Sequence, residues 1–173
     1  MKKILLLAFV LALINSVSAQ SFKEKIAFGG GLSYGTEIEN IGINIRGLYE
    51  VTEEIHGLMN LTFFFPKKED FGVFEYKWNL WELNLDGHYN FKLSDKFSAY
   101  GLAGLNISNW RSKWEGDLGY EYYEDTNTAK IGFNIGGGAA YNFTDALSGF
   151  GEIKYVISDY DQAVFTFGVL YHL

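Results

Sequence analysis

The chain has 173 residues, no cysteine, one proline, 20 glycines and 18% aromatic residues. The lack of cysteine excludes disulfides, cysteine-ligated metal sites and the acylated cysteine of a bacterial lipoprotein. The formal net charge of −7 argues against a surface that binds nucleic acid. Many aromatic residues together with many glycines are typical of a small all-β protein, and the length suits a single domain.

The first 19 residues have the features of a secretory signal peptide. Two lysines precede an eleven-residue apolar run, which is followed by a Val-Ser-Ala cleavage pattern at 17–19. An uncleaved membrane anchor is the alternative, but eleven residues span only about 16 Å as a helix, which is too short for a bilayer core. We therefore predict a signal peptide over 1–19 and a mature domain over 20–173.

From residue 25 onward, apolar and polar residues alternate with period two, as they do in β-strands. These segments are about 10 to 15 residues long, which exceeds the usual soluble strand and suffices for a tilted strand to cross a bilayer. The eight segments cover 25–35, 41–51, 55–65, 79–91, 97–109, 129–143, 147–157 and 163–173.

One face of every segment is apolar and uncharged, and the charged strand residues lie on the opposite face. In the second segment, for example, Ile41, Ile43 and Ile45 alternate with Asn44 and Arg46. A soluble lipocalin-like barrel or a two-sheet sandwich would also alternate, but its charged face would be the outer one. An apolar face on every segment instead suits lipid outside and a polar interior. We predict an all-β fold, an eight-stranded antiparallel up-and-down transmembrane β-barrel.

The connections between the segments alternate between short and long. The short turns are 51–54, 92–96 and 144–146, and the stretches between the other segment ends are 36–40, 66–78, 110–128 and 158–162. In outer-membrane barrels the short turns and both termini face the periplasm, so we expect that orientation here. Aromatic residues near both strand ends suggest two membrane-interface belts, and we assign four tryptophans to the outer belt: Trp78, Trp81, Trp110 and Trp114.

The alternation, the signal peptide and the last segment, Phe165-x-Phe167-x-Val169-x-Tyr171-x-Leu173, resemble the small outer-membrane β-barrels typified by OmpX and the OmpA transmembrane domain. The resemblance covers residues 25–173. It implies a monomer in the outer membrane of a Gram-negative cell, in contact with outer-membrane lipid and lipopolysaccharide. It also implies recognition of the last strand by the barrel-assembly machinery. Tyr171 matches that signal, whereas Leu173 departs from its terminal aromatic residue.

Five charged residues are expected inside the barrel. Arg46, Asp86 and Glu152 lie at similar depth, and Glu82 and Lys154 lie farther from the short-turn end. Because an eight-stranded barrel is just wide enough for side chains to fill it, we predict a plug of ion pairs. Glu152 is the favoured partner of Arg46, and Asp86 is available to Lys154. A gated ion path through the same residues is the alternative.

The three histidines, His56, His88 and His172, bear on whether the protein is an enzyme. Some barrels of the resembling family are lipid A acyltransferases or deacylases, which place a catalytic His and Ser at the outer-leaflet end. The histidines here lie near the short-turn ends of their segments, which argues against that chemistry. We predict no catalytic residue, no cofactor and no metal site, and we expect hydrogen-bonded histidines in the lumen.

The two longest connections, 66–78 and 110–128, flank strands that are candidates to extend beyond the membrane as a sheet. Acidic and tyrosine residues in the second could bind a basic extracellular protein or a cation. The candidates are Glu115, Asp117, Tyr120, Glu121, Tyr122, Tyr123, Glu124 and Asp125. We predict a non-enzymatic outer-membrane protein for surface interaction or envelope integrity. A narrow ion channel is the second candidate, and a lipid-modifying enzyme is the third.

Overall fold

A computed structural model describes residues 25–70, 74–116, 125–159 and 161–173. Within these ranges no helix is long and apolar enough to cross a membrane. The described residues form nine strands: β1 (Ile26–Gly35), β2 (Asn40–Glu50), β3 (Ile55–Phe64), β4 (Lys67–Asp70), β5 (Phe74–Lys92), β6 (Phe97–Gly116), β7 (Asp125–Asn142), β8 (Leu147–Ile157) and β9 (Gln162–His172).

All nine strands belong to one antiparallel sheet that closes on itself. The strand order is β3-β2-β1-β9-β8-β7-β6-β5-β4, and an additional pairing of β3 with β5 closes the ring. Since β4 is a short strand that pairs with one end of β5, the barrel wall consists of the other eight strands. Closure matters because an unpaired backbone group in lipid would cost several kcal/mol. The predicted eight-stranded antiparallel barrel is confirmed.

The start of β1 and the end of β9 lie at the same end of the barrel, where Ala27 is paired with His172. We call this the terminal end and the opposite one the hairpin end. Three short turns at the terminal end share one geometry, in which a hydroxyl accepts a hydrogen bond from the backbone N–H three residues later. These acceptors are Thr52, Ser94 and Thr144, at 3.0, 3.1 and 3.0 Å from their donors. The same local chemistry therefore closes all three hairpins.

Three wall strands, β5, β6 and β7, extend farther at the hairpin end than the sequence pattern indicated. Strands β5, β6 and β7 contain 19, 20 and 18 residues, whereas the other wall strands contain 10 or 11. The regions 66–78 and 110–128, predicted as long connections whose flanking strands could extend as a sheet, contain β4 and the outer parts of these strands. Hydrophobic alternation does not reveal them, because a sheet beyond the membrane needs no apolar face.

A β-bulge separates β3 from β4. Phe63 is paired with Trp81 and Lys67 with Trp78, so three residues of one strand lie opposite two of the other. The bulge includes Pro66, which has no backbone N–H to contribute to a ladder. Beyond it, β4 to β7 continue together and form a protruding sheet at the hairpin end.

The two faces of the wall differ as predicted. Large apolar side chains stay exposed on the outer face, such as Leu85 at 49%, Phe133 at 62% and Phe167 at 68%, and this arrangement suits a lipid surround. The buried residues inside are mostly polar or charged. The predicted outer aromatic belt needs one correction: Trp78 and Trp110 pack against a buried apolar cluster, because their even positions fall on the lumen face of β5 and β6.

Candidate functional site in the barrel lumen

The lumen is arranged in layers along the barrel axis. A polar network occupies the middle, an apolar cluster lies toward the hairpin end, and a cavity opens at the terminal end. Each layer is built from alternate residues of several strands, because only every second side chain of a strand faces inward.

The polar layer contains a set of asparagines that the sequence analysis did not single out as a network. Asn60, Asn84 and Asn106 are direct cross-strand neighbours on β3, β5 and β6. Asn84 donates to Asn60 at 2.9 Å, and Asn106 donates to Asn84 at 2.8 Å. Asn44 on β2 and Asn134 on β7 donate to the same set, at 3.2 and 2.8 Å. The sequence feature that could have indicated this network is the recurrence of an inward-facing asparagine at similar depth on five strands.

Arg46 and Glu152 form the main ion pair of this layer. The Arg46 guanidinium donates two hydrogen bonds to the Glu152 carboxylate, both at 3.2 Å. Arg46 also donates through Nε to Asn44 at 2.9 Å and lies over the Phe150 ring at 3.9 Å. The Tyr100 hydroxyl donates a hydrogen bond to Glu152 at 2.9 Å. Both charged groups are almost completely buried, so each depends on the other for compensation.

The other three charged lumen residues form hydrogen bonds and ion pairs with partners other than Arg46 and Glu152. Asp86 accepts hydrogen bonds from Asn60 at 3.3 Å and from Asn134 at 2.7 Å. Lys154 forms an ion pair with Glu82, with Nζ and Oε2 3.6 Å apart, and Gln162 donates to the second Glu82 oxygen. The structure therefore places Lys154 against Glu82, not against Asp86.

An apolar layer closes the lumen toward the hairpin end. Its members come from the β1–β2 turn and from four wall strands, and their exposures do not exceed 5%: Ile38, Phe64, Leu80, Val156 and Val164. Trp78 and Trp110 pack against this cluster. The β1–β2 turn is further tied to β4 by an ion pair between Glu39 and Lys67, and the hydrogen bond from Lys67 lowers the pKa of the Glu39 carboxyl.

The terminal end is open. A cavity of about 140 Å³ reaches inward to Arg46 and Tyr100, and the three histidines, His56, His88 and His172, line it. His88 stacks on Tyr100 with ring centroids 4.5 Å apart, and its Nε2 lies 3.9 Å from Glu152. His172 shares a hydrogen bond of 2.9 Å with Ser148. Among the described side chains, no three His, Cys, Asp or Glu residues are placed to hold a metal ion.

Two of the surface-binding candidates lie on strands at the hairpin end. Glu115 belongs to the last residues of β6, and Asp125 begins β7 in register with Lys113. The other candidates, Asp117, Tyr120, Glu121, Tyr122, Tyr123 and Glu124, lie outside the described residues. Their role as a binding surface stays a prediction.

Comparison with known proteins identifies the family. A model of the outer membrane protein β-barrel domain matches residues 6–172, whereas no curated protein sequence matches the chain. Among solved structures, Ail, the attachment invasion locus protein of Yersinia pestis, is 15% identical with a TM-score of 0.59, over 85% of this chain and 95% of that one. The N-terminal β-barrel domain of Pseudomonas aeruginosa OprF is 14% identical with a TM-score of 0.65, over 87% and 98%.

A major outer membrane protein of Thermus thermophilus is 11% identical with a TM-score of 0.70, over 86% of this chain and 98% of that one. At these identities the likeness concerns the fold, and it confirms the resemblance to small outer-membrane barrels. Together with the match of the family model over nearly the whole chain, the closed wall with its apolar outer face leads to one conclusion. The chain belongs to the outer membrane protein β-barrel domain family.

Proposed function

We propose that this protein is a non-enzymatic, non-conducting barrel of the outer membrane that acts through its hairpin end, in surface interaction or envelope integrity. The observation that carries the proposal is the filled lumen. The apolar layer around Ile38 and Val164 lies directly beyond a hydrogen-bonded polar layer, and the lumen cavity lined by the three histidines lies on the other side, at the terminal end.

A permeating ion would meet two successive obstacles in this lumen. It would have to separate the buried Arg46–Glu152 pair, and breaking such a pair leaves an uncompensated charge. It would then have to cross a layer of aliphatic and aromatic side chains that offers no replacement for its hydration shell. We therefore expect a closed barrel.

Conductance in planar lipid bilayers tests this proposal. The refolded protein should give no current steps, with a wide porin added to the same bilayer as the control for insertion. Heat-modifiable migration in gel electrophoresis would verify that the barrel is folded. Steady, ion-selective steps that disappear in Arg46→Ala would contradict a closed lumen and favour the channel.

A narrow ion channel is the second candidate because Glu152 has a titratable neighbour, His88, besides Arg46. It accepts both hydrogen bonds from Arg46, and His88 Nε2 lies 3.9 Å away. If His88 became protonated, the Glu152 carboxylate could form an ion pair with His88 in place of Arg46. The Arg46–Glu152 pair would then separate while the carboxylate kept a positively charged partner. In the bilayer experiment this candidate predicts current steps that become more frequent at acidic pH.

The proposed surface role rests on the protruding sheet. β7 is paired with β6 over nearly its whole length, but its pairing with β8 begins only at Phe133. Within the described part of the chain, the ladder between β7 and β8 does not extend over residues 125–132, and an extracellular protein could add a strand along this part of β7. The comparison protein Ail is named for attachment and invasion, and it has been crystallised with the heparin analogue sucrose octasulfate; these facts support a surface role by analogy.

The orientation and the remaining partners are part of the same proposal. We place the termini and short turns in the periplasm and the protruding sheet outside. Lipopolysaccharide and other outer-membrane lipid would surround a monomeric barrel, and the barrel-assembly machinery would recognise β9. An acidic, tyrosine-rich connection over 117–124 is the candidate contact for a basic protein or a cation.

A further inference from the structure

The β1–β2 turn, residues 36–39, differs from the three turns at the terminal end because one of its side chains enters the lumen. Ile38 is completely buried, whereas the residues on either side of it are exposed. In the terminal-end turns the apolar residues stay outside: Val51, Leu93 and Phe143 are 52%, 61% and 55% exposed. The β1–β2 turn thus adds to the barrel interior a side chain that no strand provides.

Ile38 fills the lumen between opposite walls of the barrel. It belongs to one buried cluster with Phe64 of β3 and Leu80 of β5, and with Val156 of β8 and Val164 of β9. Around the ring, two strands separate β5 from β8 and two separate β9 from β3. The apolar layer is therefore completed by a side chain that reaches it from the turn above.

This position of Ile38 depends on a glycine at the end of β1. A Cβ on Gly35 would lie 3.0 Å from Ile38 Cγ2, 2.9 Å from Phe64 Cε1 and 2.7 Å from Gln162 Oε1. All three distances are shorter than ordinary van der Waals contacts. Even alanine at position 35 would therefore push against the side chains that close the lumen.

Hydrogen bonds attach the turn to the barrel on two sides. Thr36 donates its backbone N–H to the Ala163 carbonyl oxygen at 3.0 Å, and its hydroxyl accepts from the Ala163 N–H at 3.0 Å. On the other side, the Asn40 side chain donates to the Phe65 carbonyl oxygen at 2.9 Å. Because the side-chain bonds are exposed to solvent, water can replace them when the turn moves.

The backbone at Glu39 favours a different conformation of the turn. Its φ is 50°, in the left-handed region that a residue other than glycine adopts only where its surroundings impose it. The ion pair between Glu39 and Lys67 contributes little, because the Glu39 side chain is 64% exposed. Burial of Ile38 is thus the main contribution that holds the turn against this backbone strain.

We propose that the β1–β2 turn is a lid on the lumen, which opens to admit small solutes from the hairpin end and which the burial of Ile38 keeps closed. Opening withdraws Ile38 from the apolar layer and releases the left-handed conformation at Glu39. The buried Arg46–Glu152 pair lies beyond that layer, so an open lid exposes a pocket without completing a pore. This inference rests on the proposed closed lumen and concerns how its outer part is reached.

The accessibility of a single cysteine under the lid tests the inference. The chain has no native cysteine, and Val164→Cys places one thiol in the apolar layer. Mass spectrometry follows its modification by a charged methanethiosulfonate reagent in the refolded barrel in detergent micelles. Adding Ile38→Ser should raise the rate at least about ten-fold, because burial of an isoleucine favours the closed lid by at least that factor. The matched control is Ile41→Ser on the outer face, where Ile41 is 49% exposed, and it should keep the parent rate.

A second pair of variants tests the lid without removing Ile38. Gly35→Ala should also raise the rate of modification, because its Cβ displaces the Ile38 side chain from the closed position. Gly57→Ala is the matched control, since a Cβ there meets nothing within 4 Å. Heat-modifiable migration in gel electrophoresis verifies that each variant is folded.

Two outcomes would overturn the inference. One is an equal rate in Ile38→Ser and Ile41→Ser, which would mean that the wall strands alone seal the lumen. The other is a parent rate as high as that of a cysteine on the exposed turn, Glu37→Cys. Conductance is measured separately, so current steps would contradict the proposed closed lumen, whereas an unchanged rate in Ile38→Ser would contradict the lid alone.

Discussion

At the scale of single residues, the Arg46–Glu152 pair offers the sharpest test of the lumen network. Arg46→Ala should destabilise the barrel by about 3–5 kcal/mol, because the buried Glu152 carboxylate would lose its two charge-assisted hydrogen bonds. Arg46→Ala/Glu152→Ala should recover part of this loss, with a coupling energy above about 0.5 kcal/mol. Denaturant unfolding in lipid vesicles measures these free energies.

A second acid serves as the control for this double-mutant cycle. Glu82 is paired with Lys154 and Gln162, and it shares no hydrogen bond with Arg46 in the described network. Arg46→Ala and Glu82→Ala should therefore be additive to within about 0.5 kcal/mol. Additivity of Arg46 with Glu152 as well would show that the two side chains do not stabilise each other.

Two glycines of the wall should respond in opposite ways to alanine. A Cβ on Gly138 would lie 2.5 Å from the Tyr100 hydroxyl and 2.5 Å from the Gly151 carbonyl oxygen, whereas a Cβ on Gly57 would meet nothing within 4 Å. Gly138→Ala should cost about 1–3 kcal/mol, because Tyr100 would be displaced from Glu152. Gly57→Ala should be neutral or slightly stabilising, because alanine restricts the unfolded chain. Equal effects on unfolding would refute this packing account.

At the scale of elements, β5 combines two environments along one strand. Leu85 lies near the middle of its outer face and Phe91 near the terminal end, and both are exposed on the wall. Leu85→Arg should cost about 2–4 kcal/mol, whereas Phe91→Arg should cost about 0–1 kcal/mol because arginine reaches the interface there. Refolding into vesicles of defined thickness measures both costs. A larger penalty at Phe91 would mean that the membrane crosses β5 elsewhere.

The strands also show how far sequence alone determines this fold. The wall strands β1, β2, β3, β8 and β9 could be predicted to within one or two residues, because lipid on one side and a polar lumen on the other impose strict alternation. The length of the connections suggested that β5 to β7 extend beyond the membrane, but the bounds of these outer parts could not be predicted, since both of their faces lie outside lipid. For the lumen, alternation identifies inward residues such as Asn84 but not their partners, which depend on the register between strands.

At the scale of the whole molecule, the two ends of the barrel are unequal. The hairpin end has an apolar layer inside and a protruding sheet beyond it, and the terminal end has an open cavity and three tight turns. The consequence of this asymmetry for function depends on which end of the barrel faces the outside of the cell. An outward terminal end would expose the histidine-lined cavity to the medium, whereas an outward hairpin end would present the sheet.

The lack of native cysteine makes the orientation directly measurable. Glu37, in the β1–β2 turn, and Asp95, in the turn after β5, are both exposed and lie at opposite ends of the barrel. In intact cells, a membrane-impermeant maleimide should label Glu37→Cys and leave Asp95→Cys unlabelled, and it should label both after the outer membrane is permeabilised. This readout suits the protein better than proteolysis, because the basic residues at the hairpin end, such as Arg111, lie within paired strands. Labelling of Asp95→Cys alone in intact cells would reverse the proposed orientation and would place the protruding sheet on the periplasmic side.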